Sequence, residues 1–402
     1  MVYRLLLWVH FSLHMYEKKY NVNRQADRQT GRQTGIELLK IIALFLIVIS
    51  HVSQSLGGEP GILDEYVNKW IDLGKATTNL SNLIVIFFRH FGMLGNNIFF
   101  VCSFWFLCDS HRVKIKKIIT MLLDVWIISF IFLLFYLNFQ QGLSYKLIIK
   151  SLLPNIFSTN WFITCYLLIY SIHPYLNIVI DALDKKTHAI ICIISGVLYD
   201  GIVCLKGDLL FSSYIIFAIV LYFLVAYIKK YMVCWSKDIR ANIKFLLFGL
   251  SGMLGLFVFT DYLGIHIKFF NNQLLKWAVN NNPFIIIIAI AVFNLFRHIK
   301  LVNPFINYIS GLSMIVYIIH ENILFRSYTR IYIWDKIIDC FGDNNIVLYT
   351  IVYAICLFVI AIVISSIYQS TIHKFAIWIE KYFEKKIFKA CNGIIDVLMK
   401  FN

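Results

Sequence analysis

Lys40 and His51 stand eleven residues apart in the apolar run 36–56. At about 100° per residue, that spacing overshoots three helical turns by only roughly 20°, so both side chains share one helix face. The helical rise separates them by roughly 16 Å along the axis. A lysine at the start of such a run can snorkel to a membrane surface, or it can hold an anion. The deeper imidazole has two readings of its own. One is a structural hydrogen bond to a neighbouring helix, the other proton transfer near neutral pH. A second histidine, His320, comes late in another apolar run, in Val316-Tyr-Ile-Ile-His-Glu, and Glu321 follows at the boundary. The two histidines and the carboxylate fall at comparable depth. They could converge on one polar site or be unrelated, because sequence does not show which helices are neighbours. Asp124 follows the basic run Arg112, Lys114, Lys116, Lys117 and could pair with one of those lysines. Asp200 and Asn294 read as packing hydrogen bonds between helices. Asn160-Trp161 opens a further apolar run, where an interfacial aromatic is the plain alternative to a binding role.

These residues must be positioned by membrane-spanning helices. Of 402 residues, 60% are hydrophobic and only 15% charged, which excludes a disordered chain and disfavours a water-soluble globule. Apolar runs of the length a bilayer requires, roughly 20 residues, occur at 36–56, 82–107, 118–137, 160–180, 188–205, 213–228, 243–260, 283–299, 305–325 and 346–369. The expected fold is all-α and polytopic, with about ten transmembrane helices. Arg89-His90 interrupts the second run, which begins at 82 or near Phe91. Pro283 and Pro304 stand at first helical positions, where the missing N–H costs nothing.

The net charge of +15 is unevenly placed. Segments 1–40, 108–117, 181–188, 229–244, 297–303 and 370–402 carry 26 of the 37 Lys and Arg residues; the alternating segments carry 10, and Arg89 is the last. Because Lys and Arg are retained on the cytoplasmic side, both termini are expected there, as an even number of spans requires. The excess is then an orientation signal rather than a nucleic-acid patch, and lipids are the expected surroundings. Residues 1–35 read as a cytoplasmic basic lead-in, partly a start placed too far upstream. Residues 36–370 form the membrane domain, and 371–402 form a cytoplasmic amphipathic tail on the inner leaflet. Nine cysteines show no CxxC or Cys/His zinc spacing, so no metal is expected.

Four segments, read together, resemble the acyltransferase-3 family of integral membrane O-acyltransferases, in its surface-polysaccharide or exopolysaccharide branch. Glu37-Leu-Leu-Lys40…His51 is similar to the family's first span, in which a basic residue, usually Arg, and a histidine have ten residues between them. Leu94-Gly-Asn-Asn-Ile-Phe-Phe-Val-Cys-Ser103 resembles its second span, which normally ends Ser-Gly-Tyr; here Phe104 and Trp105 follow the serine. Asn160-Trp161-Phe162…Tyr170…Pro174-Tyr-Leu-Asn177 looks like the fourth span, and Tyr317-Ile-Ile-His320 like the late Tyr-x-x-His. The resemblance covers about residues 35–370. It implies an O-acyltransferase (acetyl in the usual case) of the inner or plasma membrane. Its donor would be cytoplasmic acyl-CoA and its acceptor a hydroxyl of a surface glycan or of a lipid-linked sugar. On that reading Lys40, Arg112, Lys114, Lys116 and Lys117 neutralise the donor's phosphates. His51 acts as general base or transient acyl carrier, His320 as a second proton carrier, and Glu321 orients a histidine. Ser103, Asn160 and Trp161 shape the acceptor site. Lys40 in place of Arg keeps the charge but loses the bidentate fork. The rival class is a polysaccharide exporter or flippase, but no repeat relates the two halves of the chain. The oligomeric state is not legible.

Overall fold

The computed structural model describes residues 33–57, 70–139, 142–201, 214–300 and 303–382. Most of the lead-in and the end of the tail therefore lie outside the described residues. Within them every regular element is helical: α1 (Thr34–Gln54), α2 (Leu80–Leu107), α3 (Ile115–Phe139), α4 (Tyr145–Leu152), α5 (Trp161–Ala182), α6 (Lys185–Ser195), α7 (Tyr214–Tyr231), α8 (Val233–Lys237), α9 (Ile239–His266), α10 (Pro283–Phe296), α11 (Pro304–Gly311), α12 (Ser313–His320), α13 (Arg330–Phe341) and α14 (Ile346–Ser370). Residues 373–382 form a further C-terminal helix.

Among the described residues, seven helices are long and apolar enough to cross a membrane: α1 with its 3-10 extension to Gly57, α2, α3, α5, α7, α9 and α14. The other three expected spans are helical but short or broken. α6 passes into a π-helical turn, Gly196–Gly201. α10 has 14 residues and starts on Pro283 after the Asn282 cap. The run 305–325 breaks at Leu312 between α11 and α12. Arg89 and His90 do not interrupt α2, because the Arg89 guanidinium donates to the Gln54 amide oxygen at 2.6 Å and His90 is buried.

α1 lies at the centre and packs tightly along α2. A Cβ on Gly95 would stand 2.5 Å from the Ala43 carbonyl oxygen, and one on Gly92 2.5 Å from Ser50 Oγ. Small residues here let two backbones approach, the usual currency of helix association where lipid removes a hydrophobic drive between helices. Leu247, Leu254, Val359 and Val363 of α9 and α14 point outward from the bundle. Helix ends that the charge pattern assigns to one side do meet. Asn177 near the end of α5 donates to the carbonyls of Leu107 and Ser110 at 2.9 and 2.7 Å, and Lys229 near the end of α7 pairs with Asp109. At the opposite end the Trp334 indole donates to the Val52 carbonyl at 3.0 Å.

Candidate active site

α1 carries Lys40 and His51 without a break, so the rise between them holds. At the far end three side chains converge. His51 Nδ1 lies 2.7 Å from Glu321 Oε2 and 3.1 Å from His320 Nε2, with the imidazole rings 5.3 Å apart. His320 ends α12, and its Nδ1 lies 2.8 Å from the Val316 carbonyl one turn back. A carbonyl only accepts, so His320 Nδ1 carries the proton and its Nε2 is bare. His51 Nδ1 thus faces two acceptors, Glu321 Oε2 and His320 Nε2, and must be the donor. This assignment, made from the hydrogen-bond partners, leaves the lone pair on His51 Nε2.

Glu321 is held by two guanidiniums. Arg326 Nη1 donates to Oε1 and Arg330 Nη1 to Oε2, each at 3.1 Å. Arg330 is 0% exposed. The local fold explains the pairing: chain leaving Glu321 enters a π-helical turn, Phe325–Thr329, whose wider winding brings Arg326 and Arg330 back onto one carboxylate. Tyr353 donates to the Arg330 carbonyl at 3.4 Å, and Trp334, also fully buried, ties α13 to the end of α1. Both arginines fall outside the apolar runs of the sequence. The available signal was three basic residues in 321–345, on the side where basic residues are scarce.

The ligand atoms of His51, His320 and Glu321 lie within 4.8 Å of one another, a spacing a metal ion could use. Tetrahedral ligands at about 2.0–2.1 Å from zinc would stand roughly 3.4 Å apart. The observed 2.7 and 3.1 Å are direct hydrogen-bond distances, and two arginines already neutralise the carboxylate. The spacing is that of a directly hydrogen-bonded set.

At the other end of α1, Lys40 Nζ lies 3.2 Å from Glu37 Oε1, and Ser310 of α11 donates to the same carboxyl group. The Lys40 ammonium acts electrostatically on Cys102, Tyr166 and Lys117. Lys117 donates to the Tyr166 hydroxyl at 2.6 Å and lies over the Tyr170 ring. Lys114, Lys116 and Lys117 line a cavity of about 420 Å³ between α3, the α11–α12 junction and the C-terminal helix. Arg112 is exposed just before α3. Asp124, on the cavity wall, pairs with no lysine among the described residues: its Oδ1 accepts from the Tyr368 hydroxyl at 2.8 Å and from His373 Nδ1 at 2.9 Å. A lysine would have had to bury its ammonium, whereas His373 arrives from the turn after α14. The bond to Asp124 raises the His373 imidazole above its ordinary value of 6.5, against the opposing effect of desolvation.

The remaining expected residues fall in two places. Asn160 is buried just before α5, and Trp161 stacks on Tyr214 with rings 3.9 Å apart. Their neighbour Phe162 packs on Tyr317, whose ring lies 5.6 Å from that of His320. This pair thus borders the histidine end. Ser103 follows Cys102, the residue on which Lys40 acts, and so belongs to the lysine end. Phe104 and Trp105 fill core space: Phe104 packs on Phe100 and Tyr222, and Trp105 lies under the Arg297 guanidinium. Asn294 does bridge helices, donating to Asn242 Oδ1 at 2.9 Å. Asp200 is buried, and its Oδ1 has no partner among the described residues.

A helical membrane bundle with a buried His-His-Glu cluster at one end and a lysine-lined cavity at the other defines a membrane-embedded transferase. The chain belongs to the acyltransferase-3 family: the family's profile, described as an acyltransferase domain, matches residues 33–368. No curated protein and no solved structure matches it.

Proposed function

We propose that the protein moves an acyl group, acetyl in the simplest case, from cytoplasmic acyl-CoA to a hydroxyl of a surface glycan or its lipid-linked precursor. The observation that carries this reading is the ordered chain Arg330–Glu321–His51, which leaves His51 Nε2 unprotonated and fixes its ring. His51 Nε2 takes the proton of the acceptor hydroxyl as its oxygen attacks the thioester carbon. The C–S bond breaks, and the departing thiolate recovers the proton from Nε2. In the variant route Nε2 attacks first, and an acyl-imidazole passes the group on. Glu321 stabilises the imidazolium in either case, and His320 Nε2 shares the Nδ1 proton.

The donor reading places both termini in the cytoplasm, with the phosphates among Lys40, Arg112, Lys114, Lys116 and Lys117 as charge partners. The pantetheine arm would then cross the apolar layer of Leu44, Ile47 and Ile315 to bring the thioester the roughly 16 Å to His51. Asn160 and Trp161 border the end at which the acceptor would enter, and Ser103 would lie nearer the donor. The test is to feed labelled acetyl-CoA to membranes. The parent protein labels surface glycan, whereas His51→Ala, inserted at the same level, does not. Undiminished labelling in that variant would sink the reading.

A further inference from the structure

The lysine-lined cavity holds one group that phosphate binding does not use. Asp124 is 0% exposed and sits on the cavity wall, one helical stretch deeper than Lys116 and Lys117. Its two oxygens are not equivalent. Oδ1 accepts two hydrogen bonds, from Tyr368 and His373, while Oδ2 is buried with no partner among the described residues. An unpaired carboxylate oxygen in such surroundings loses solvation without compensation. It marks a place where a ligand donor belongs. The rest of the wall agrees. Met314 and Ile377 supply apolar faces, and about 420 Å³ is within the usual range for a small-molecule site. The cavity thus combines three lysines at its mouth, of which Lys116 also pairs with the buried Glu380 carboxylate at 3.2 Å, with apolar flanks and a deep hydrogen-bond acceptor. A flat base with an exocyclic amino group, joined to several phosphates, matches all three.

We infer that this cavity receives the nucleotide end of the acyl donor, and that Asp124 Oδ2 selects adenine by accepting a hydrogen bond from its exocyclic amino group. The inference rests on the acyl-CoA reading above and adds to it a specificity-determining residue. Tyr368 and His373 are positioning residues: by occupying Oδ1 they aim Oδ2 at the base. They also make the inference testable, because two donors on Oδ1 dictate how an asparagine would sit. In Asp124→Asn the amide oxygen must stay at the Oδ1 place, which leaves the NH2 group facing the ligand. That group is complementary to hypoxanthine, which carries an oxygen where adenine carries its amino group.

The experiment measures binding of coenzyme A and of its hypoxanthine analogue to the detergent-solubilised full-length chain. The wild type should prefer coenzyme A by roughly tenfold to a hundredfold, the worth of one hydrogen bond to a charged group. Asp124→Asn should lose that preference or reverse it. Equal affinity of the wild type for both ligands overturns the role of Asp124 while leaving the donor reading intact, and this arm needs no variant to fold. A preference that survives unchanged in Asp124→Asn overturns it as well. Failure of coenzyme A to bind at all would overturn the donor reading and the inference together. Displacement of coenzyme A by equimolar glycerophosphoethanolamine would assign the cavity to a lipid headgroup, against the inference.

Discussion

Glu321→Gln isolates the charge of the His-His-Glu cluster at almost constant shape. In the parent protein Oε2 meets two donors, His51 Nδ1 at 2.7 Å and Arg330 Nη1 at 3.1 Å, and Oε1 meets Arg326. A glutamine offers one oxygen and one NH2 group to these three donors. If the amide nitrogen takes the Oε2 place, His51 Nδ1 must become an acceptor, and the proton moves to Nε2, the atom that has to be bare. If the oxygen takes that place, the tautomer survives but the imidazolium formed during transfer has no counter-charge. A charge pair at 2.7 Å is worth at most about 6 kcal/mol at an effective dielectric near 20. The retained hydrogen bond offsets part of this. General-base catalysis is worth roughly 10²–10⁴-fold, or about 3–5 kcal/mol at 1.36 kcal/mol per decade, and we expect a loss of kcat in that range. The KM for acyl-CoA should change little, because the donor's charged end is bound some 16 Å away on the rise of α1. The assay is acyl transfer by purified protein in lipid vesicles, with a thermal melt run alongside. The melt is needed because removing one partner of a buried ion pair costs about 3–5 kcal/mol, and Arg330 would be left facing a neutral group. Glu321→Asp, which keeps the charge, should retain more activity. A folded Glu321→Gln protein that turns over within threefold of the parent would refute the assignment of Glu321 as the partner of the His51 imidazolium.

Other perturbations separate the two ends of the bundle. Lys40→Ala should raise the KM for acyl-CoA more than it lowers kcat in the same vesicle assay; the opposite split would remove Lys40 from donor binding. Gly95→Ala should destabilise the protein by about 1–3 kcal/mol of overpacking, read as a lower melting temperature, since the new Cβ meets the Ala43 backbone oxygen as well as the Ile47 side chain. Asn294→Leu breaks a buried helix-to-helix hydrogen bond and should cost about 1 kcal/mol, read as a lower thermal melt. The His373–Asp124 contact predicts a pH response of the C-terminal helix. Because the folded-state pKa of His373 is raised, its stabilisation is fully present below about 6.5 and is lost as pH rises through the raised value. Hydrogen exchange across residues 373–382 should therefore quicken on the alkaline side, and His373→Gln should flatten that profile.

Much of this was written in the chain. The period and length of its apolar runs pointed to an all-helical membrane chain, because a bilayer leaves the backbone few other ways to satisfy its polar groups; of the ten runs, seven form helices long enough to span. The alternation of basic segments gave an expected orientation, with both termini on the side rich in Lys and Arg. Spacing within one helix placed Lys40 and His51 on a common face, since that geometry is local. Two stretches were illegible for the same reason reversed. The 321–345 segment has no long apolar run and read as a loop, yet it supplies Arg326, Arg330 and Trp334 to the site. His373 read as part of an amphipathic tail, yet it reaches Asp124 across 249 positions. What the sequence by itself determined is the set of helices and the residues each presents. Folding alone brings His51, His320 and Glu321 together and seats two arginines on the carboxylate. Electrostatic partnership falls off over a few ångströms of space, and no pattern along the chain records which distant turns are brought within that range.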